Sequence, residues 1–288
     1  MRFSIISAVL LLGGTAAAAP GTAMRRARAL EHLSKLRGSL PRQREPQHQS
    51  SGPLAAPTSR SNDRDGNETI SQLQDYSSNW AGAVLYGNSW RTVVGTIVVP
   101  TPKPPAGASS RTTYYASAWV GIDGDSCPTA ILQTGIDVAV TGAGKATYSG
   151  WYEWYPDYAY DFSNFAVKAG DTVRITVKVA ANNLRQGTAT LENLTTGRSV
   201  SHTFGTQSAA LCGTDAEWIV EDFESDGGLV PLANFGKVVF SDASAGQAGG
   251  STLGVTGANV IDLKQSGRVL TSCGVDGTKS VFCSYTGP

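Results

Sequence analysis

Histidine is nearly absent from this chain: there are three in 288 residues, and two of them, His32 and His48, precede residue 71. That leaves His202 alone for most of the chain, so a His-ligated zinc site has little support, and no CxxC pair stands in for it. A Ser-His-Asp hydrolase is equally poorly supported, because no GxSxG turn is present. No D[TS]G pair offers two aspartates that could share a proton, and no GxGxxG or phosphate loop is found. Long apolar runs are missing after Leu12, so no segment approaches the roughly 18 residues of a membrane helix. Long amphipathic helical patterns are missing too, and so is any strand-helix alternation, which argues against α/β folds.

The N-terminus supplies the one apolar run. MRFSIISAVLLLGGTAAAAP has an Arg beside Met1, an apolar stretch from Ile5 to Leu12 and small residues from Ala16 to Ala19, the layout of a secretory signal over residues 1–19. Residues 20–70 follow as a basic segment rich in Pro, Ser, Gln and Arg with little to bury, expected to be mostly flexible. The chain sums to zero charge, but residues 21–70 hold nine Lys/Arg against five Asp/Glu while 71–288 hold thirteen against eighteen. The two parts therefore carry +4 and −5 and attract each other at neutral pH. A basic, protease-accessible segment ahead of an acidic domain resembles a propeptide, its end lying somewhere in 50–75. Because the basic charge is in the segment and not in the domain, a nucleic-acid partner is not expected. The sequence predicts a secreted, extracellular protein with no membrane partner, most simply a monomer.

Residues 71–288 are enough for one large core. Twelve runs of alternating or β-branched residues recur between Gly, Pro, Asn and Ser: 89–100, 113–122, 130–140, 146–155, 171–180, 187–194, 198–204, 216–223, 236–243, 259–264, 268–273 and 279–285. This many short strands predicts an all-β sandwich or barrel. Cys127, Cys212, Cys273 and Cys283 are an even set, expected to be paired outside the cell, and allow three pairings. Cys273 and Cys283 flank CGVDGTKSVFC, a hairpin pattern; pairing them leaves Cys127 with Cys212, while the pairings that cross these sets stay open. Asn67 in NET and Asn193 in NLT are glycosylation sequons, and Asn193 should be exposed if it is used.

Strand periodicity puts polar groups on shared faces. Gln133, Gly135 and Asp137 align in ILQTGID; Trp151, Glu153 and Tyr155 align in WYEWY; Glu217, Ile219, Glu221 and Phe223 align in EWIVEDF. Such a sheet can offer a polar, aromatic-lined surface on one side while the other packs. Gln133 inside an apolar run must find a hydrogen-bond partner or face a polar cleft. Acids among aromatics are the ingredients of a perturbed carboxyl. Taken alone, these features suit cleavage or binding of a glycan as well as peptide chemistry.

Longer blocks decide between these. YSSNWAGAV (76–84), SAWVGIDG (117–124), AILQTGID (130–137), WYEWYPDYAYDF (151–162), AEWIVEDFE (216–224), LVPLANFG (229–236) and VLTSC (269–273) resemble, in order and without gaps inside each block, those of the fungal glutamic peptidases, or eqolisins. The resemblance runs from about Tyr76 to the C-terminus. It implies a sandwich of two long antiparallel sheets, lectin-like in form, and a secreted acid endopeptidase that is insensitive to pepstatin, made as a preproenzyme, and dependent on a Gln and a Glu. It carries these roles to Gln133 and to Glu221, with Glu217 on the same strand face as the alternative. It also places Trp80, Trp119, Asp123, Asp137, Trp151, Glu153 and Tyr155 as lining or supporting the cleft. The family's cysteine pattern agrees with Cys127–Cys212 and Cys273–Cys283. The implied chemistry needs neither metal nor cofactor. A carboxylate base of ordinary pKa, about 4.3, still works at acid pH where a histidine, about 6.5, is protonated. Expected partners are polypeptide substrates and the chain's own propeptide as an intramolecular inhibitor.

Overall fold

The structure, a computed structural model, describes residues 37–38, 40–44, 74–225 and 227–287. The expected signal sequence, most of the 20–70 segment and Asn67 lie outside the described residues. Thirteen strands of six or more residues are described: β1 Trp80–Tyr86, β2 Trp90–Val98, β3 Thr113–Ile122, β4 Ile131–Thr141, β5 Ala146–Tyr155, β6 Thr172–Ala180, β7 Asn183–Asn193, β8 Arg198–Phe204, β9 Asp215–Glu221, β10 Lys237–Gln247, β11 Asn259–Gln265, β12 Thr271–Asp276 and β13 Ser280–Tyr285. No helix is found among the described residues.

These strands build an all-β sandwich. One sheet has the order β11-β1-β9-β3-β4-β5, extended at its edges by Arg268–Val269 and Tyr160–Asp161, with Gln74–Ser77 pairing in parallel along β11. The other runs β8-β7-β6-β2-β10-β13-β12, with Thr252–Leu253 beside β10. All other ladders of the two sheets are antiparallel, as the alternating patterns predict.

Most strands fall where the patterns put them, and 113–122, 146–155 and 198–204 do so to the residue. The exception is β1, which no periodic run marks. WAGAVLY is buried from Trp80 to Leu85, so both faces are covered and the in–out alternation is lost. Gly82 lies in its middle at φ 143°, and a Cβ there would stand 2.1 Å from the Trp218 carbonyl oxygen. Glycine is needed at this point by the close approach of β9, and it reads in sequence as a strand breaker.

The apolar core fills the space between the sheets. Trp218 on β9 is central: fully buried, it donates its indole N–H to the Val94 carbonyl on β2 at 2.8 Å, linking one sheet to the other. Beside Trp218 pack Val120 of β3 and Phe240 of β10, and all three crowd the space above Gly95, where a Cβ would be 3.0–3.2 Å away from each. The opposite faces of β1, β3, β4, β5 and β9 carry a second buried cluster, including Trp80, Val84, Trp119, Ile131, Trp151 and Ile219.

The turn after β3 and the segment before β9 are clamped together. The Asp123 carboxylate accepts backbone N–H groups from Cys212, Gly213, Thr214 and Asp215 at 2.7–3.3 Å. In return, the Asp215 carboxylate accepts the N–H groups of Asp125, Ser126 and Cys127 at 2.7–3.3 Å. The Cys127–Cys212 disulfide closes the same junction, with its Cα atoms 6.2 Å apart; Cys273–Cys283 joins β12 to β13.

Asn193 departs from expectation. It is buried: its amide donates to the Asp171 carboxylate at 2.8 Å and its carbonyl accepts from Thr195 and Thr196. The sequon forms a turn, and its nitrogen is taken rather than open to a glycan.

Asp222, just past β9, is also buried, with Gln265 Nε2 donating to its carboxyl at 2.7 Å. Burial pushes this carboxyl up to about 7, against the smaller lowering effect of Gln265. An unfolded Asp titrates near about 3.9, so between these values the native state holds a proton that the unfolded state has lost, and stability falls as pH rises. Asp222→Asn should therefore raise Tm at pH 7 by a few degrees, corresponding to about 1–2 kcal/mol, with almost no change at pH 4. An equal shift at both pH values in thermal melts would contradict this. Replacing Cys127 and Cys212 together by Ser should cost about 2–5 kcal/mol in urea unfolding, since the bridge closes a separation of 85 residues. A loss below about 1 kcal/mol would mean that the aspartate clamp alone sets the junction.

Candidate functional site

The register of five strands arranges the polar residues in three cross-strand rows on the face turned away from the main core. The first row is Val84, Glu217, Gly121, Gln133, Glu153. The second is Gly82, Ile219, Trp119, Gly135, Trp151, and the third Trp80, Glu221, Ser117, Asp137, Ser149. All of the sequence-predicted cleft residues on these strands are brought to this one face.

Their partners differ. Glu221 accepts the indole N–H of Trp119 at 2.8 Å, which fixes its rotamer, and Trp119 meets Trp80 edge-to-face at 5.0 Å. The far edge of the Trp119 ring lies over Gly121, where a Cβ would stand 2.8 Å from Cζ3. Trp119 thus spans the space from Glu221 toward the Gln133 row. Gln133 sits directly opposite Glu153, two residues from Trp151, whose indole N–H donates to Ser117 Oγ at 3.1 Å. Neither polar atom of the Gln133 side chain has a hydrogen-bond partner, although the residue is completely buried. Asp137 faces Ser117, which in turn faces Glu221.

Glu221 is not in the Gln133 row: it lies two strands across and four residues along, whereas Glu217 is in the row, separated by Gly121. Both acids are fully buried. Burial pushes the Glu217 carboxyl well above its ordinary value, and the nearby charges of Asp215, Asp123 and Asp125 add to this. Asp123 is less a cleft residue than the anchor of the 212–215 segment. Its sulfur neighbours, Cys127 and Cys212, are joined in the bridge and its carboxylate is occupied by backbone N–H groups, so these residues hold a loop and not a metal ion. His202 stacks on Tyr152 at 4.0 Å, on the opposite face of β5 from Glu153, and takes no part in the site.

The expected open surface is instead closed: Gln133, Glu153, Glu217 and Glu221 are all buried. Residues 40–44 lie along its border. The Arg42 N–H donates to the Gly124 carbonyl at 3.0 Å, and Asn79 Nδ2 donates to the carbonyls of Leu40 and Pro41. The Arg42 guanidinium, buried, reaches Asp125 at 3.0 Å and Asp75 at 3.2 Å, and Arg44 meets Asp125 at 2.9 Å. The Tyr86 hydroxyl also donates to Asp125. Further along, Arg37–Gly38 pairs with Glu224–Ser225, shortly past Glu221.

Ser117, Gly121 and Asp215 are part of this arrangement without having been singled out in sequence. Two signals pointed to the first two: the alternation Ser117, Trp119, Gly121, and glycines inside strand patterns, which mark a close approach. A Cβ at Gly135 would stand 2.5 Å from Trp119 Cβ.

Comparison with known proteins identifies the family and the fold. The Peptidase A4 family matches residues 78–285. Aspergillopepsin-2 of Aspergillus niger is 44% identical over 300 residues, covering 99% of this chain and all of its own. Scytalidopepsin B of Scytalidium lignicola is 42% identical over 216 residues, 72% of this chain and 78% of its own. Among solved structures, scytalido-glutamic peptidase with a transition state analog inhibitor superposes with a TM-score of 0.64 at 42% identity, over 73% of this chain and 98% of that one. Aspergilloglutamic peptidase from Aspergillus niger gives 0.57 at 53% identity, over 60% of this chain and 99% of that one. The chain belongs to the Peptidase A4 family, the fungal glutamic peptidases or eqolisins.

Proposed function

We infer that this acid endopeptidase hydrolyses peptide bonds with water activated by Glu217 and with Gln133 stabilising the charge that develops, with no covalent intermediate. The observation that carries the reading, and favours Glu217 over Glu221, is the Gln133 row: Glu217 and Gln133 flank Gly121, both buried and with every side-chain polar atom unpartnered, whereas Glu221 lies four residues along β9 and is bonded to the Trp119 indole. Glu217 takes a proton from a water, whose oxygen bonds to the scissile carbonyl carbon. The carbonyl oxygen becomes anionic and accepts an N–H from the Gln133 amide, a donor of the kind worth about 2.7–4 kcal/mol in the transition state. Glu217 then returns the proton to the amine nitrogen as the C–N bond breaks. Glu153, opposite Gln133, orients that amide, and Glu221, with Asp137 reached through Ser117 behind it, holds the Trp119 ring that lies over Gly121. Trp80, Trp151 and Tyr155 supply the apolar walls for a polypeptide substrate.

In the same reading the chain is exported through its N-terminal leader, acts as a monomer, and is inhibited by residues 20–70 until these are removed. The contacts of residues 37–44 along the border of the site support this, with Arg42 as the main anchor. Burial alone would raise the Asp125 carboxyl, but the Tyr86 hydroxyl and the Arg42 and Arg44 guanidinium groups outweigh it and hold it below its ordinary value. Such a depressed carboxyl contributes fully above its unbound pKa, and the contribution is lost as pH falls through the lowered value, here below about 4.

Matured wild-type protein should cleave denatured globin maximally below about pH 4 with pepstatin present. Gln133→Ala should lose at least about 100-fold in kcat, and Glu217→Gln should be inactive while folded. Near wild-type turnover by folded Glu217→Gln would overturn the assignment. A synthetic 20–70 peptide should inhibit the mature enzyme more strongly at pH 5 than at pH 3, and its Arg42→Ala form should bind about 30-fold or more weakly at pH 5, about 2 kcal/mol. Equal inhibition constants for the two peptides would remove Arg42 as the anchor.

A further inference from the structure

The sheet that does not carry the Gln133 row is split on its outer surface. The ladder between β2 and β10 ends at Thr96↔Ser241, although β2 runs on to Val98 and β10 begins at Lys237. Past that pair the two strands are held from their other sides: Val98 pairs with Thr172 of β6, and residues 237–240 pair with β13. Backbone polar groups point into the gap between them. The Tyr285 N–H donates to the Gly236 carbonyl, so strand alternation turns the N–H and C=O groups of Lys237 and Val239 away from β13 and toward β2. Val99 accepts from Gly170 and donates to Asp171 on the β6 side, and the same alternation turns the groups of Val98 toward β10.

Thr96, Val98, Thr172, Lys237, Val239 and Ser241 line the resulting groove, whose volume is about 260 Å³. Ile97, Val173 and Val238 point the other way, into the core, so the groove lies on the outside of the sandwich, across the core from Gln133. Its walls are apolar, since Val98 and Val239 are both exposed. On its floor Thr96 is 5% exposed and its hydroxyl has no hydrogen-bond partner, a condition rare for a buried polar group. At its end the Lys237 ammonium lies 4.9 Å from the centre of the Phe282 ring and meets no carboxylate among the described residues.

We propose that this groove binds the C-terminal end of a peptide: an aliphatic last residue between Val98 and Val239, its carboxylate on Lys237, and its main-chain amide on the open edge of β10. Different parts of the groove call for different parts of this ligand. An ammonium without an acidic partner, set beside apolar walls, matches an anion carried on a hydrocarbon. The volume, just below the roughly 300 Å³ at which drug-sized ligands begin, holds one or two residues. A free branched fatty acid offers the same carboxylate. Backbone N–H and C=O groups aimed into the gap, however, are met only by a chain with its own amides, as in strand addition and terminal-carboxylate capture. Endopeptidase cleavage generates such ends, because every cut leaves a new C-terminal carboxylate. The groove is thus a second peptide site, on the sheet that carries none of the catalytic groups, and its occupant is a product of the reaction.

The test is amide-resolved NMR of the isotopically labelled full chain at pH 5, where an α-carboxyl of pKa about 3.5 is ionised. The probes are N-acetyl-glycyl-leucine, its C-terminal amide and isocaproate. The free-acid peptide should shift the amides of Val98, Thr172 and Val239 saturably, and the peptide amide and isocaproate should each bind at least about 5-fold more weakly. Lys237→Gln, a change at an exposed position, should erase the preference for the free acid. Equal affinity for acid and amide in the wild type, or a preference that survives in Lys237→Gln, overturns the carboxylate contact. Isocaproate binding as tightly as the peptide overturns the peptide in favour of a fatty acid. Absence of shifts in the groove at concentrations that would saturate a site of Kd about 1 mM overturns the site itself.

Discussion

A slip of β9 by one residue against β3 would exchange Glu217 and Glu221 for Trp218 and Val220 on the face that carries Gln133, and would put both acids into the apolar core between the sheets. The chemistry of this chain therefore depends on strand register, and the structure holds that register from both sides. On the core side, Trp218 locks β9 to β2 through its indole N–H. At the strand end, the reciprocal Asp123 and Asp215 clamps and the Cys127–Cys212 bridge leave the turn after β3 no freedom to shift relative to the start of β9. Gly82, Gly121 and Gly135 then allow neighbouring backbones and indole rings to approach where any side chain would collide.

Holding acids on a dry face has an electrostatic consequence. Asp123, Glu217, Asp222 and Asp262 all have carboxyls raised above their ordinary values, in each case chiefly by burial. Each of these makes the fold more comfortable in acid, where it is neutral, than at pH 7, where it must ionise or hold an unshared proton. Asp125 is the opposite case, lowered by Tyr86 and two arginines. One protein thus combines buried acids suited to low pH with a contact of Arg42 and Arg44 that acid weakens. The same residue type answers to pH in opposite ways in two environments.

Much of this was legible in the sequence. Period-2 alternation located nearly every strand and put Gln133, Glu153, Glu217 and Glu221 on their faces, because a half-buried sheet writes its sidedness directly into the chain. Strand β1 was hidden by the same logic, since burial on both faces removes the alternation. The partition among the acids was not legible either. Which acid shares the Gln133 row depends on inter-strand register, which no single strand records. Asp123 shares its motif with cleft residues, yet its carboxylate is directed at backbone N–H groups 89–92 residues away in sequence. Asn193 reads as an exposed sequon, and only the packing of Asp171 against it shows that the amide is occupied.

The most direct test of the site is a crystal structure of the matured domain with a peptide whose scissile carbonyl is replaced by a hydroxyl-bearing tetrahedral carbon. The account predicts that hydroxyl within hydrogen-bond range, about 3 Å, of both the Gln133 amide nitrogen and the Glu217 carboxyl, with Glu221 bound to Trp119. A hydroxyl held instead by Glu221, out of reach of Glu217, would contradict it.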